Sequence, residues 1–158
     1  TNGKTTVATL LFRLFTELGY KCGLLSTIEN RIGDEVEPTG YTTPDAVAVQ
    51  ETLARMIEAG CTHAFMEVSS HALDQHRVDG IAWDVAIFTN ITHDHLDYHG
   101  DFKTYIQAKK IFFDGLSAQA FALINADDKH AEVMVQNTVA KVSNYSLTKI
   151  ADFRARGI

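Results

Sequence analysis

Cysteine is scarce in these 158 residues, with only Cys22 and Cys61 present. They lie far apart with no metal-type spacing, which excludes a disulfide-stapled scaffold or a cysteine metal knuckle, and they read as two reduced, buried thiols. A basic excess is also missing. The net charge is −6 and Lys and Arg are scattered, so no basic patch offers itself to nucleic acid. No apolar run approaches the roughly 20 residues that a membrane-spanning helix requires. There is no visible signal peptide, internal repeat or low-complexity linker, and the cytoplasm is the expected location.

What is present is a 46% hydrophobic chain, long enough for one domain with its own core. Its first six residues are Thr1-Asn2-Gly3-Lys4-Thr5-Thr6, and Gly3-Lys4-Thr5 forms the closing half of a phosphate-binding loop. In such a loop, backbone N–H groups face the anion, the lysine reaches the terminal phosphates and the next hydroxyl holds Mg²⁺. The following helix adds its positive N-terminal end. The loop's first glycine and the strand that feeds it do not precede Thr1, so the chain is expected to be an excerpt of a longer protein. By itself it is expected to be inactive and poorly folded.

Helical spacing over residues 5–18 ends at Gly19, and residues 22–28 read as a strand. Gly33-Asp34 can turn a short hairpin over 31–36. Thr43-Pro44 suits a helix start, with threonine as cap and proline in the first turn, and Gly60 stops that helix. Strands are expected at 64–68, 85–88, 121–124 and 139–145, with a helical turn over 71–76 and helices over 102–114 and 127–136. Strands that read as solid apolar runs between helices predict an α/β fold, a mostly parallel sheet flanked by helices.

Ligands of such sheets gather beyond the carboxyl ends of the strands. That rule singles out Glu67, Ser69, Ser70 and His71 after one strand, and Asn90, His93, Asp94, His95, Asp97 and His99 after another. Glu67 stands where a strand would deliver a carboxylate to Mg²⁺. The segment 92–99 packs three histidines and two aspartates together, a density suited to metal binding or proton transfer, although one site cannot use all five. Spacing alone leaves Thr42-Thr43-Pro44 as a helix cap, Lys109 and Lys110 as solvated helix positions, and Phe112 and Phe113 as core.

Taken in order, the Thr1–Thr6 loop, Tyr41-Thr42-Thr43-Pro44, Met66-Glu67-Val68-Ser69-Ser70-His71, Thr89-Asn90 with Asp94-His95-Leu96-Asp97-Tyr98-His99-Gly100, and Tyr105 to Lys109 resemble the central ATP-binding domain of the Mur ligases. The resemblance covers residues 1–158 and is greatest to the branch that adds the third peptide residue in peptidoglycan synthesis. It implies ATP bound by Thr1, Asn2, Gly3, Lys4, Thr5 and Thr6, with Lys4 on the β- and γ-phosphates. It further implies two Mg²⁺ ions, the first held by Thr5 and Glu67 and the second with help from His95. Lys109 matches a lysine carried as a carbamate, and Lys110 is left as a surface residue. Thr42, Thr43, Ser69, Gln75 and Arg77 match positions that bind the UDP-MurNAc-dipeptide.

The implied enzyme is an ATP-dependent amide ligase, a cytoplasmic monomer flanked in its full chain by a uridine-binding and an amino-acid-binding domain. It joins diaminopimelate or lysine to UDP-MurNAc-L-Ala-D-Glu through an acyl phosphate. Two anions must then meet, and metal ions, Lys4 and the loop amides offset their repulsion. A carbamate at position 109 offers anionic oxygens where an ammonium would repel metal. Two other readings stand beside it: a folylpolyglutamate synthetase-like ligase of the same superfamily, and a phosphate-loop module that ligates nothing.

Overall fold

The computed structural model describes residues 1–40, 42–155 and 157. Tyr41 of the expected Tyr-Thr-Thr-Pro motif lies outside them. The chain divides into two compact units, Gly3–Asp79 and Thr1–Asn2 with Gly80–Ile158.

The first unit runs α1 (Lys4–Glu17), β1 (Cys22–Leu25), β2 (Asn30–Ile32), β3 (Glu35–Glu37), α2 (Ala46–Glu58), β4 (His63–Met66) and α3 (Ser70–Asp74). Its sheet has the order β3-β2-β1-β4. β1 and β4 are parallel, Leu25 opposite Met66, and β1-β2-β3 form an antiparallel meander. All four residues of β1 are buried because helices cover both faces. Ala8 and Phe12 of α1 pack with Cys22 and Leu24, while Met56 of α2 packs with Leu25 and Ile32. Gly23 permits the second contact, since a Cβ there would run into the Met56 thioether.

Two expectations shift here. β1 stops at Leu25, short of Ile28, because the chain turns at Ser26. The Ser26 hydroxyl donates to the Glu29 carbonyl at 2.8 Å, and the Ser26 N–H donates to Asn30 Oδ1 at 3.2 Å. α2 starts after Asp45, whose carboxylate accepts the Ala48 N–H at 3.0 Å, so the cap is Asp45 and not Thr43. The Gly33-Asp34 hairpin forms as expected.

The second unit runs β5 (Val85–Phe88), α4 (Leu96–His99), α5 (Phe102–Asp114), β6 (Phe121–Asn125), α6 (Ala131–Met134), β7 (Lys141–Ser146) and β8 (Phe153–Arg154). Its four strands are parallel in the order β5-β6-β7-β8. Ala86, Phe88, Tyr105, Phe113, Ile124 and Met134 belong to one core cluster between sheet and helices. α5 is capped by Asp101, which accepts the Thr104 N–H at 2.7 Å.

The α/β architecture with parallel strands and flanking helices is the expected one, with its strands in two four-stranded sheets. α6 is a single turn instead of a helix over 127–136, entered by a turn in which Asp128 Oδ1 accepts the His130 N–H at 2.8 Å. Asp128 accepts the Ile91 N–H and Asp127 accepts the Ser146 hydroxyl and the Leu147 N–H. Helix α4 inside the histidine-rich segment and strand β8 are additions. Lys110 is not a surface residue: it is 4% exposed, and its ammonium donates to Asp114 Oδ1 at 2.5 Å. Lys109 is also buried. Cys22 is buried, Cys61 half-buried, and both thiols are free. Among the described residues no helix is long and apolar enough to cross a membrane.

Candidate active site

At the start of α1, Gly3 takes φ 82°, the left-handed region that glycine adopts without strain. A Cβ at Gly3 would meet nothing within 4 Å, so the backbone angle is what this position needs. Gly3 has no side chain to cap the helix, and the first turn carries no acid. The N–H groups that open this 14-residue helix therefore present positive potential suited to an anion.

Glu67 follows β4 and is 2% exposed. Its Oε2 accepts the Thr5 hydroxyl at 3.0 Å, and its Oε1 accepts the Thr27 N–H at 2.8 Å. The Thr27 hydroxyl lies 3.2 Å from Oε2. These three donors are neutral, so they orient the buried carboxylate without cancelling its charge. A hydroxyl oxygen beside a carboxylate is a donor set that suits a hard cation such as Mg²⁺. The sequence singled out Thr5 and Glu67 and missed Thr27. Its only signal was its place just beyond the end of β1.

The Thr42–Thr43 loop is tied to the same carboxylate residue. Thr43, 1% exposed, donates through its hydroxyl to the Glu67 carbonyl at 2.9 Å and accepts the Ser69 N–H at 3.3 Å. Ser69 caps α3 by accepting the Ala72 N–H at 3.1 Å. Arg77 donates to the Thr43 carbonyl at 2.8 Å and to Gln75 Oε1 at 2.9 Å. The hydroxyls of Thr27 and Thr42 lie 3.1 Å apart. All five expected substrate-binding residues thus belong to one hydrogen-bonded neighbourhood around Glu67. The Thr43 and Ser69 hydroxyls hold the loops in shape.

In the second unit, Thr89 and Asn90 grip the peptide of Asn2. The Asn2 N–H donates to Asn90 Oδ1 at 2.8 Å, and Asn90 Nδ2 returns a bond to the Asn2 carbonyl at 2.9 Å. The Thr89 hydroxyl adds a third bond at 2.8 Å, to the same carbonyl. The Thr1 hydroxyl lies 2.9 Å from the Tyr105 hydroxyl and accepts the Thr92 N–H at 3.0 Å.

Tyr105 is fully buried, and three candidate residues gather around its ring. Lys109, one turn along α5 and 9% exposed, holds its Nζ 5.0 Å from the ring centroid. His99 stacks on the ring at 5.2 Å, and His95 meets it edge-on at 6.0 Å. His95 adopts φ 54°, rare for a residue with a side chain, and its Nε2 lies 3.5 Å from Asp94 Oδ2. Burial pushes the Tyr105 phenol up from its ordinary range, and the Thr1 hydroxyl offsets part of that. His93 stacks on Phe102 at 4.5 Å, and Phe102 in turn lies edge-on to Tyr105 at 6.2 Å. Among the described residues no three His, Cys, Asp or Glu side chains converge as a metal cluster, so segment 92–99 does not form one.

A Gly-Lys-Thr turn opening a helix, with a buried carboxylate on the threonine hydroxyl, defines a phosphate-loop domain of the α/β class. The chain belongs to the Mur ligase middle-domain family, whose pattern it matches over residues 1–158. It is 60% identical over 156 residues to the UDP-N-acetylmuramoyl-L-alanyl-D-glutamate--2,6-diaminopimelate ligase of Cytophaga hutchinsonii, covering 99% of this chain and 32% of that protein. It therefore spans about a third of the length of the curated relatives it matches. A solved structure of a UDP-N-acetylmuramoyl-L-alanyl-D-glutamate--2,6-diaminopimelate ligase superposes with TM-score 0.85 at 35% identity, over 98% of this chain and 32% of that one. An L. casei FPGS variant superposes at TM-score 0.62 and 17% identity, over 94% of this chain and 45% of that one, and shares the fold.

Proposed function

We propose that this chain is the central ATP-binding domain of a longer, monomeric cytoplasmic ligase that joins diaminopimelate to UDP-MurNAc-L-Ala-D-Glu. The observation that carries the reading is the Thr5–Glu67 pair at the start of α1, in a chain 60% identical to a protein named for that reaction. The likeness to FPGS, at 17% identity, extends to the fold alone, and the 60% identity to a protein named for the sugar-nucleotide reaction favours that substrate over folate.

In this reading Lys4 and the N–H groups of the Thr1–Thr6 loop bind the ATP phosphates. Thr5 and Glu67 would hold one Mg²⁺, and His95 and a carbamylated Lys109 would hold another. Bound Mg²⁺ would offset the repulsion between substrate carboxylate and γ-phosphate. Thr42, Gln75 and Arg77 contact the UDP-MurNAc-dipeptide, and Thr43 and Ser69 fix the loops that carry them. The dipeptide's carboxylate attacks the γ-phosphorus and ADP leaves, giving an acyl phosphate. The amine of diaminopimelate then attacks the acyl carbon, and phosphate leaves as the amide forms.

Lys109 is the discriminating residue, because a buried lysine against an aromatic ring has an equally good structural use. In the full-length protein, Lys109→Ala is expected to lower ligase turnover at least about 100-fold. Short-chain carboxylic acids should restore part of it by standing in for the carbamate oxygens. Unchanged turnover in Lys109→Ala would remove the carbamate from the account.

A further inference from the structure

Thr27 has one hydroxyl hydrogen and two acceptors at nearly equal range. Glu67 Oε2 lies 3.2 Å from its Oγ1, and Thr42 Oγ1 lies 3.1 Å from it. A hydroxyl donates once and accepts up to twice, so this hydrogen serves one neighbour at a time. Glu67 Oε2 is also the oxygen that accepts the Thr5 hydroxyl. Thr5, Glu67, Thr27 and Thr42 thus form one chain of hydrogen-bonding oxygens, from the start of α1 to the Thr42–Thr43 loop. The Thr27 backbone N–H fixes the carboxylate separately, through Oε1.

We propose that Thr27 is a positioning residue that couples the occupant of the Thr42 loop to the readiness of Glu67 for a divalent cation. The inference rests on the ligase reading, because it needs a substrate at Thr42. With the loop empty, Thr27 is the donor in both contacts, so its one hydrogen is shared between Thr42 Oγ1 and Glu67 Oε2. An acceptor-rich substrate group, a phosphate, carboxylate or carbonyl oxygen, draws the Thr42 hydrogen to itself. Donating there makes the Thr42 oxygen a stronger acceptor, and the shared Thr27 hydrogen settles on it. Glu67 Oε2 loses a neutral donor and regains lone-pair capacity for a cation. Substrate and cation therefore bind with positive coupling, and by linkage each strengthens the other equally.

The test measures Mn²⁺ binding by electron paramagnetic resonance, in the full-length protein with a non-hydrolysable ATP analogue, with and without UDP-MurNAc-L-Ala-D-Glu. The wild type should bind Mn²⁺ about fivefold or more tightly when the sugar nucleotide is present. Thr27→Val keeps the N–H bond to Oε1 and removes the relayed hydrogen, so its coupling factor should fall to within about twofold of unity. Thr27→Ser retains the hydroxyl and should keep the wild-type factor. Equal coupling in wild type and Thr27→Val, or loss of coupling in Thr27→Ser, would overturn the relay while leaving the ligase reading intact. A wild type that binds neither nucleotide nor sugar nucleotide would overturn both.

Discussion

His130 buries its Nε2 without a hydrogen-bond partner among the described residues, while its ring lies edge-on to Phe102 at 5.2 Å. An unanswered buried nitrogen is a cost that an apolar ring of similar shape does not carry. His130→Phe is therefore expected to stabilise the full-length protein by about 1 kcal/mol, a rise in melting temperature of about 1–2 °C for a chain about three times this length. A fall in the thermal melt would show instead that the imidazole has a partner. At this scale the sequence was a good guide wherever chemistry follows chain position. Thr5 lies next to the loop lysine and Glu67 just after a strand, so both could be named before any contact was known. Thr27 could not, because its role depends on a turn that brings it 2.8 Å from a residue forty positions away. Thr43 suits a helix cap by position, but Asp45 takes that role and the buried Glu67 carbonyl claims the Thr43 hydroxyl.

Helix α5 shows how an element can hide part of its own logic. Helical periodicity assigned Phe112 and Phe113 to the interior and left the two lysines in solvent. The structure buries both lysines, Lys109 against Tyr105 and Lys110 against Asp114 one turn on. Each partner sits four residues away, so the pairs were visible in the sequence, but the depth at which the helix lies was not. Lys110 is buried while its partner Asp114 is a third exposed, so solvent screens part of the charge that Asp114→Ala would leave unpaired. Asp114→Ala should cost about 1 kcal/mol, and Lys110→Met clearly less, because methionine fills the same space uncharged. Paired melting curves of the two variants check this, and equal losses would contradict it.

The end of β6 supports a second prediction for an element. Hydrogen bonds from Ser146, Thr148 and Leu147, in that order of effect, lower the Asp127 carboxyl from its ordinary 3.8 to about 2. A carboxyl lowered on folding stabilises the fold fully above its unfolded value. That contribution is lost as the pH falls toward the folded one. The contact between Asp127 and the turn after β7 should therefore weaken between about pH 4 and pH 2. Melting temperatures across that window should fall more steeply in the wild type than in Asp127→Asn. Parallel curves would contradict the assignment.

For the molecule as a whole, the α/β class was legible because the parallel strands β1, β4, β5 and β6 are mostly apolar runs set between helices, while β2 and β3 add an antiparallel meander. The grouping of strands into two sheets was not, since residue patterns name the strands and not their neighbours. The candidate site divides in the same way. Around Glu67, one unit collects the oxygen donors and the threonine loop. Around Tyr105, the other collects His95, His99 and Lys109, and it clips Asn2 in place through Asn90. The first arrangement suits a cation and a phosphate, and the second accounts for a buried lysine that periodicity assigned to solvent.

The central claim is that this domain drives a peptide ligation with ATP. Its most direct test is product formation by the full-length protein, supplied with ATP, Mg²⁺, UDP-MurNAc-L-Ala-D-Glu and each of a panel of amino acids in turn. The account predicts ADP, phosphate and UDP-MurNAc-tripeptide in equal amounts with diaminopimelate. It also predicts loss of all three products in Glu67→Ala. ATP hydrolysis that proceeds without the dipeptide and yields no tripeptide with any amino acid would contradict it.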